Sequence, residues 1–173
     1  MSHETDKHNL TEHSYGDAYA EIFSRFNREA ELNILELGVQ RGGSLFAWRE
    51  YFPNAKIIGV DISDSRLDRY KTDESITFIK KDLRDAIEDL RDIKFDIIID
   101  DSDHFEGTVA WIVKHYFELL KQHGVMVIED LQVVGKYTET IKSTMPDYTK
   151  YEEFDMREVK GRPDDFIVCL TKQ

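Results

Sequence analysis

Short runs that are apolar almost throughout recur along this chain, each followed by a stretch of helical periodicity, and that alternation leaves few folds open. The runs are Asn33–Leu37, Lys56–Asp61, Ser75–Lys80, Phe95–Ile99 and Val125–Ile128. A strand that is apolar on both faces must be covered on both faces, which suits the interior of a parallel sheet. The helical stretches between them are Ser44–Tyr51, stopped near Pro53, then Ser63–Tyr70, Leu83–Leu90 and Glu106–Lys121, the last closed by His123-Gly124. Ahead of the first run, Tyr15–Arg28 puts Tyr15, Tyr19, Ile22, Phe23 and Phe26 on one helical face. After the last run come a helical stretch near Lys136–Ser143, a weak strand around Tyr151–Asp155 and a final strand Asp165–Leu170. The expected fold is α/β, a doubly wound sheet with helices on both faces.

The 173 residues contain no Gly/Ser-rich linker and no repeat, so one domain is expected over residues 1–173, with a polar arm over residues 1–12. Apolar residues at 40% are enough for a packed core and argue against a wholly disordered chain. No apolar run nears the roughly 18 residues of a membrane span, and Met1–Leu10 has no signal-peptide core, so a cytoplasmic location is expected. The single Cys169 excludes an internal disulfide and any paired-cysteine zinc site, and its apolar strand makes it a core residue. Lys and Arg number 23 against 35 Asp and Glu, a net charge of −12 that speaks against nucleic acid as a partner.

In doubly wound sheets ligands bind beyond the carboxyl ends of the strands, so the residues standing there carry the function. The first run ends in a turn with Gly38, Gly42 and Gly43, followed by a helix starting near Ser44. Glycines allow close approach of backbone to a ligand, and the helix start offers free N–H groups and a positive dipole end. The spacing is not GxGxxG, which argues against a nicotinamide cofactor. The second run ends in Asp61, placed either to accept hydrogen bonds from ribose hydroxyls or to cap the next helix. Asp82, after the third run, either faces an adenine amino group or caps the helix from Leu83. The fourth run leads into Asp100-Asp101-Ser102-Asp103-His104 and the fifth into Glu129-Asp130. So many carboxylates on one rim call for a cation, and oxygen ligands suit Mg²⁺, Mn²⁺ or Ca²⁺. The alternative is that these acids cap helices at the strand ends, one or two at a time.

With these residues assembled, the chain resembles the class I S-adenosylmethionine-dependent methyltransferases, and among them the metal-dependent sugar O-methyltransferases of macrolide biosynthesis and their polysaccharide-cluster relatives. The likeness runs through Thr5-Asp6-Lys7 with His13 and Tyr15, residues 34–63, residues 97–104, residues 124–131 and residues 160–170. It implies a Rossmann-like seven-stranded sheet, mostly parallel, with the last strand antiparallel. It implies S-adenosylmethionine and Mg²⁺ or Mn²⁺ as cofactors, with Asp101, Glu129 and Asp130 as metal ligands and His104 as catalytic base. It also adds Glu36 to the cofactor set, which becomes Glu36, Gly38, Gly42, Ser44, Asp61, Asp82 and Asp100. The family usually writes DDGSH where this chain has Ser102 and Asp103, and Asp103 sets an added negative charge beside His104. The acceptor implied is a sugar with vicinal hydroxyls, on a glycan or an activated sugar, and a homo-oligomer is compatible. Two other readings remain: a methyltransferase for another diol, catechol or natural product, and a non-catalytic nucleotide-binding domain.

Overall fold

The computed structural model describes residues 14–63 and 73–173. Seven strands form one sheet: β1 (Asn33–Leu37), β2 (Lys56–Asp61), β3 (Ile76–Lys80), β4 (Phe95–Asp100), β5 (Leu120–Ile128), β6 (Thr149–Asp155) and β7 (Phe166–Lys172). Their spatial order is β3-β2-β1-β4-β5-β7-β6. β1 to β5 pair in parallel, while β7 runs antiparallel to both β5 and β6. The expected mostly parallel, seven-stranded sheet with an inserted antiparallel last strand is therefore present.

Side chains alternate across each strand, so each run feeds two cores. On one face, Ile34, Ile57, Ile97, Val125 and Cys169 pack with α1 (Gly16–Phe23) and α2 (Gly43–Tyr51). On the other, Leu35, Val60, Ile98, Met126 and Val168 pack with α3 (Leu83–Leu90), α4 (Glu106–Tyr116) and α5 (Val134–Thr144). A one-turn α6 (Arg157–Lys160), absent from the sequence reading, precedes β7. Cys169 lies in the first core with no exposure, and burial pushes its thiol up to about 12, so it is no nucleophile. Among the described residues no helix is long and apolar enough to cross a membrane.

Three boundaries differ from expectation. α1 ends at Phe23 rather than Arg28, because Asn27 turns the chain: its side chain accepts from Glu29 N–H and its carbonyl from Ala30 N–H. The long helix ends at Tyr116 rather than Lys121, passing through a 3₁₀ turn at 117–119 into β5. Phe117, Leu119 and Leu120 are all buried, so the apolar pattern does not mark the break. His123-Gly124 then sits inside β5, where pairing with β4 slips between Phe95 and Ile97 and His123 takes φ 64°. The expected helix from Ser63 to Tyr70 lies, after Ser63 itself, outside the described residues, as does the arm at 1–12.

β1 is followed in the chain by β2 on one side and has β4 on the other, so the winding reverses between β1 and β4. The crevice beyond their carboxyl ends is where a ligand of this fold sits.

Candidate active site

Gly38 follows β1 directly and takes φ +84°. A Cβ there would stand 2.0 Å from the Asp101 carbonyl oxygen, so only glycine lets the ends of β1 and β4 touch. Asp101 N–H donates to the Leu37 carbonyl at 2.8 Å and seals that junction. The glycine turn and the acidic segment after β4 are thus immediate neighbours.

The turn is shaped by Asp61. Its Oδ2 accepts from the N–H groups of Val39 and Gln40, each at 2.8 Å, and its Oδ1 from Ser63 N–H at 2.8 Å. Gln40 and Gly42 take positive φ, and Gly42 is the N-cap of α2. Gly38, Asp61, Asp82, Ser102 and Asp103 line one cleft of 150 Å³ with Ile62, Leu83 and Arg84. Asp82 caps α3 by accepting from Arg84 N–H at 2.8 Å, the second of its two expected roles, while remaining on the cleft wall.

Two expected cofactor residues stand behind this wall. Glu36 is fully buried and accepts from Ser44 Oγ at 2.5 Å and Trp48 Nε1 at 2.9 Å, which ties β1 to α2 under the turn. Asp100 is also buried, and Ser102 Oγ donates to its Oδ1 at 2.7 Å. Burial pushes the Asp100 carboxyl up to about 6, against the pull of the Ser102 hydroxyl.

Beyond β4 and β5, Asp101, His104 and Asp130 bring ligand atoms within 4.8 Å of one another. His104 Nε2 lies 3.5 Å from Asp130 Oδ2 and 3.9 Å from Asp101 Oδ1. Both distances exceed a normal hydrogen bond. The three side chains face one point without closing on each other. His104 and Asp130 both hold left-handed backbone, at φ 55° and 58°. Non-glycine residues there cost on the order of 1–3 kcal/mol each, and such positions cluster at functional sites. Tyr137 of α5 steadies the first by donating to the His104 carbonyl at 2.6 Å.

Asp103 turns away from this cluster. Its carboxylate accepts from Phe105 N–H and Thr108 Oγ1, each at 3.0 Å, and so braces the turn that leads into α4. The Ser102-Asp103 departure therefore serves the wall: one residue holds Asp100 and the other braces the turn into α4.

Glu129 is buried and is not among the three groups whose ligand atoms converge; it accepts the hydroxyl of Tyr19. Asp130 Oδ1 accepts the hydroxyl of Tyr15, which also lies 3.2 Å from the Asp164 carbonyl. Burial, then the charges of Asp130 and Glu129, push the Tyr15 hydroxyl far above its ordinary value, so it stays a donor. Ser14 N–H donates to the fully buried Asp165, whose other oxygen lies 3.6 Å from Arg162 Nε. Sequence reasoning placed Tyr15 and Tyr19 on a packing face and gave neither a site role. Their signals were a hydroxyl on each of two consecutive turns of an otherwise apolar stripe and, for Tyr15, its place in the segment shared with the family.

An α/β sheet with a cofactor-type turn beside a carboxylate–histidine cluster is the architecture of a class I methyltransferase. Residues 35–131, more than half of the chain, match the family model described as "Methyltransferase domain", and the protein belongs to that family. It is 33% identical over 145 residues to the 8-demethyl-8-alpha-L-rhamnosyl tetracenomycin-C 2'-O-methyltransferase of Streptomyces olivaceus, covering 76% of this chain and 36% of that enzyme. It is 35% identical over 117 residues to the mycinamicin VI 2''-O-methyltransferase of Micromonospora griseorubida, covering 60% of this chain and 28% of that one. Among solved structures it is similar to the MycE methyltransferase from the mycinamycin biosynthetic pathway, in complex with Mg, SAH and mycinamycin VI. There the TM-score is 0.65 and the identity 28%, over 77% of this chain and 38% of that one. The chain thus spans about a third of the length of these relatives.

Proposed function

We propose that the protein is an S-adenosylmethionine-dependent, Mg²⁺-dependent O-methyltransferase acting on a sugar hydroxyl of a glycan or an activated sugar. The observation that carries this reading is the contact between Gly38 and Asp101, which sets the turn beside the Asp101–His104–Asp130 cluster. The similarity to sugar O-methyltransferases supports it. The proposal puts the enzyme in the cytoplasm.

The residues present fit both cofactors. Asp61 would take the ribose hydroxyls, with Gly38 and Gly42 letting the backbone close on the nucleoside and Asp82 at the base. Glu36, Ser44 and Asp100 would act from behind, by holding β1, α2 and Ser102 in place. Asp101 and Asp130 would hold the ion, with Glu129 as third carboxylate, anchored by Tyr19. Oxygen-rich donors of this kind suit Mg²⁺. S-adenosylmethionine brings an activated methyl group, and Mg²⁺ brings a Lewis acid that makes a bound hydroxyl easier to deprotonate. The chain's own part is to orient the acceptor hydroxyl and to receive its proton at His104 Nε2.

Two measurements bear on this reading. Asp61→Ala should weaken S-adenosylmethionine binding by about 1.5–3 kcal/mol, the usual loss of hydrogen bonds to a charged group. Because Asp61 also holds Val39 and Gln40, the variant should melt earlier as well. Unchanged affinity by calorimetry would place the cofactor elsewhere. The function itself is tested by labelled methyl transfer to nucleotide sugars and free glycans. Vicinal hydroxyls should be required, since chelation by two oxygens is the reason for the ion. Equal turnover of a 2-deoxy or 3-deoxy analogue at its remaining hydroxyl would refute this.

A further inference from the structure

We infer that Tyr15 and Tyr19, one turn apart on the α1 stripe, are positioning residues that set which carboxylate oxygens of Asp130 and Glu129 face the metal site. This inference rests on the metal reading above. Asp130 has two oxygens with different surroundings. Tyr15 donates to Oδ1, and Oδ2 is the oxygen that lies 3.5 Å from His104 Nε2 in the cluster. The phenol therefore fixes the rotation of the carboxylate and aims its second oxygen at the point shared with Asp101 and His104. Tyr19 donates to Oε1 of Glu129 and so fixes the rotation of the neighbouring acid, which stands beside the three converging groups.

Neither phenol is adjustable. Tyr15 is fully buried and Tyr19 is 3% exposed. Tyr19 is packed between Phe23 and Trp48, with ring centroids 5.0 and 4.9 Å away. Trp48 donates in turn to Glu36 beneath the cofactor turn. The start of the helix is pinned by Ser14 N–H on buried Asp165, and the Tyr15 hydroxyl also reaches the Asp164 carbonyl. α1 is thus held at its first residues by the segment before β7, and it holds the acids after β5. Groups that orient metal ligands in this way are typically worth about 10–100-fold in metal affinity.

The test is Mn²⁺ binding, followed by electron paramagnetic resonance in the absence of any acceptor, on the full chain and on Tyr15→Phe and Tyr19→Phe. Phenylalanine keeps the ring packing and removes only the donor, and the two variants act on different carboxylates, so one suffices if the other does not fold. Each should bind Mn²⁺ about tenfold or more weakly, with S-adenosylhomocysteine affinity within about twofold of the parent. Tyr148→Phe removes a tyrosine–carboxylate bond far from the site, to Glu118, and should leave Mn²⁺ affinity unchanged. Folded Tyr15→Phe and Tyr19→Phe proteins that bind Mn²⁺ like the parent would overturn the positioning role and leave the metal reading standing. A parent protein whose Mn²⁺ binding is absent, or insensitive to Asp101→Ala, would overturn both.

Discussion

His104→Gln should lower kcat about 10²–10⁴-fold, the usual worth of a general base, and leave S-adenosylmethionine affinity nearly unchanged. Nε2 points at the carboxylates that would hold the ion, at 3.5 and 3.9 Å, so a hydroxyl bound to that ion would lie within its reach. The imidazole is carried by left-handed backbone that Tyr137 fixes from α5, so its direction is set before any acceptor arrives. Glutamine keeps a polar side chain but cannot take a proton at neutral pH. It also sits less well in left-handed backbone, which asparagine tolerates better. His104→Asn is therefore the companion variant: it should melt no lower than His104→Gln and be as inactive. Steady-state kinetics with both variants separate chemistry from strain. Activity within a few-fold of the parent would leave deprotonation to the ion alone or move the base elsewhere, with His13, outside the described residues, the next candidate.

Chelation should abolish activity, and Mg²⁺ or Mn²⁺ should restore it. A Lewis acid at a reacting oxygen is worth several kcal/mol, and each 1.4 kcal/mol is about tenfold in rate, so the loss should be about 10²-fold or more. Asp101→Ala should reproduce that loss at any workable Mg²⁺ concentration. Its backbone N–H bond to Leu37 does not involve the removed carboxylate, so the protein should fold and bind S-adenosylmethionine like the parent. The two ligands are thereby separable: calorimetry reads the cofactor and the transfer assay reads the ion. Full activity in excess chelator would sink the metal reading and leave the cofactor site untouched.

The sheet was legible because β1, β4 and β5 are buried on both faces and so carry almost unbroken apolar runs. The acids of the rim were legible for a related reason: Asp100-Asp101 and Glu129-Asp130 stand where β4 and β5 stop, and Asp61 where β2 does. What the sequence hid has two physical origins. A tyrosine packs like a phenylalanine along a helix, so the stripe of α1 gave no hint that two hydroxyls end on Asp130 and Glu129. Left-handed backbone at His104 and Asp130 has no pattern either, since glycine, the usual marker, is absent there. The departure at Ser102-Asp103 read as added charge beside a base. The structure turns both side chains to local duties, on Asp100 and on the turn into α4. The break between Tyr116 and Leu120 was invisible because burial continues straight through it.

The insertion of β7 between β5 and β6 also sets an order of assembly. The acids after β5 sit on a strand whose outer edge is open until residues 166–172 have been synthesised and have slid in antiparallel. Asp164 and Asp165, which hold the beginning of α1, come just before that strand. A nascent chain that has already made every proposed ligand, from Asp101 to Asp130, therefore still lacks the strand that pairs with β5 just ahead of two of them. An unpaired edge is also a template for pairing with other chains. Between the making of β5 and the making of β7, the outer edge of β5 is therefore one that the finished sheet keeps covered.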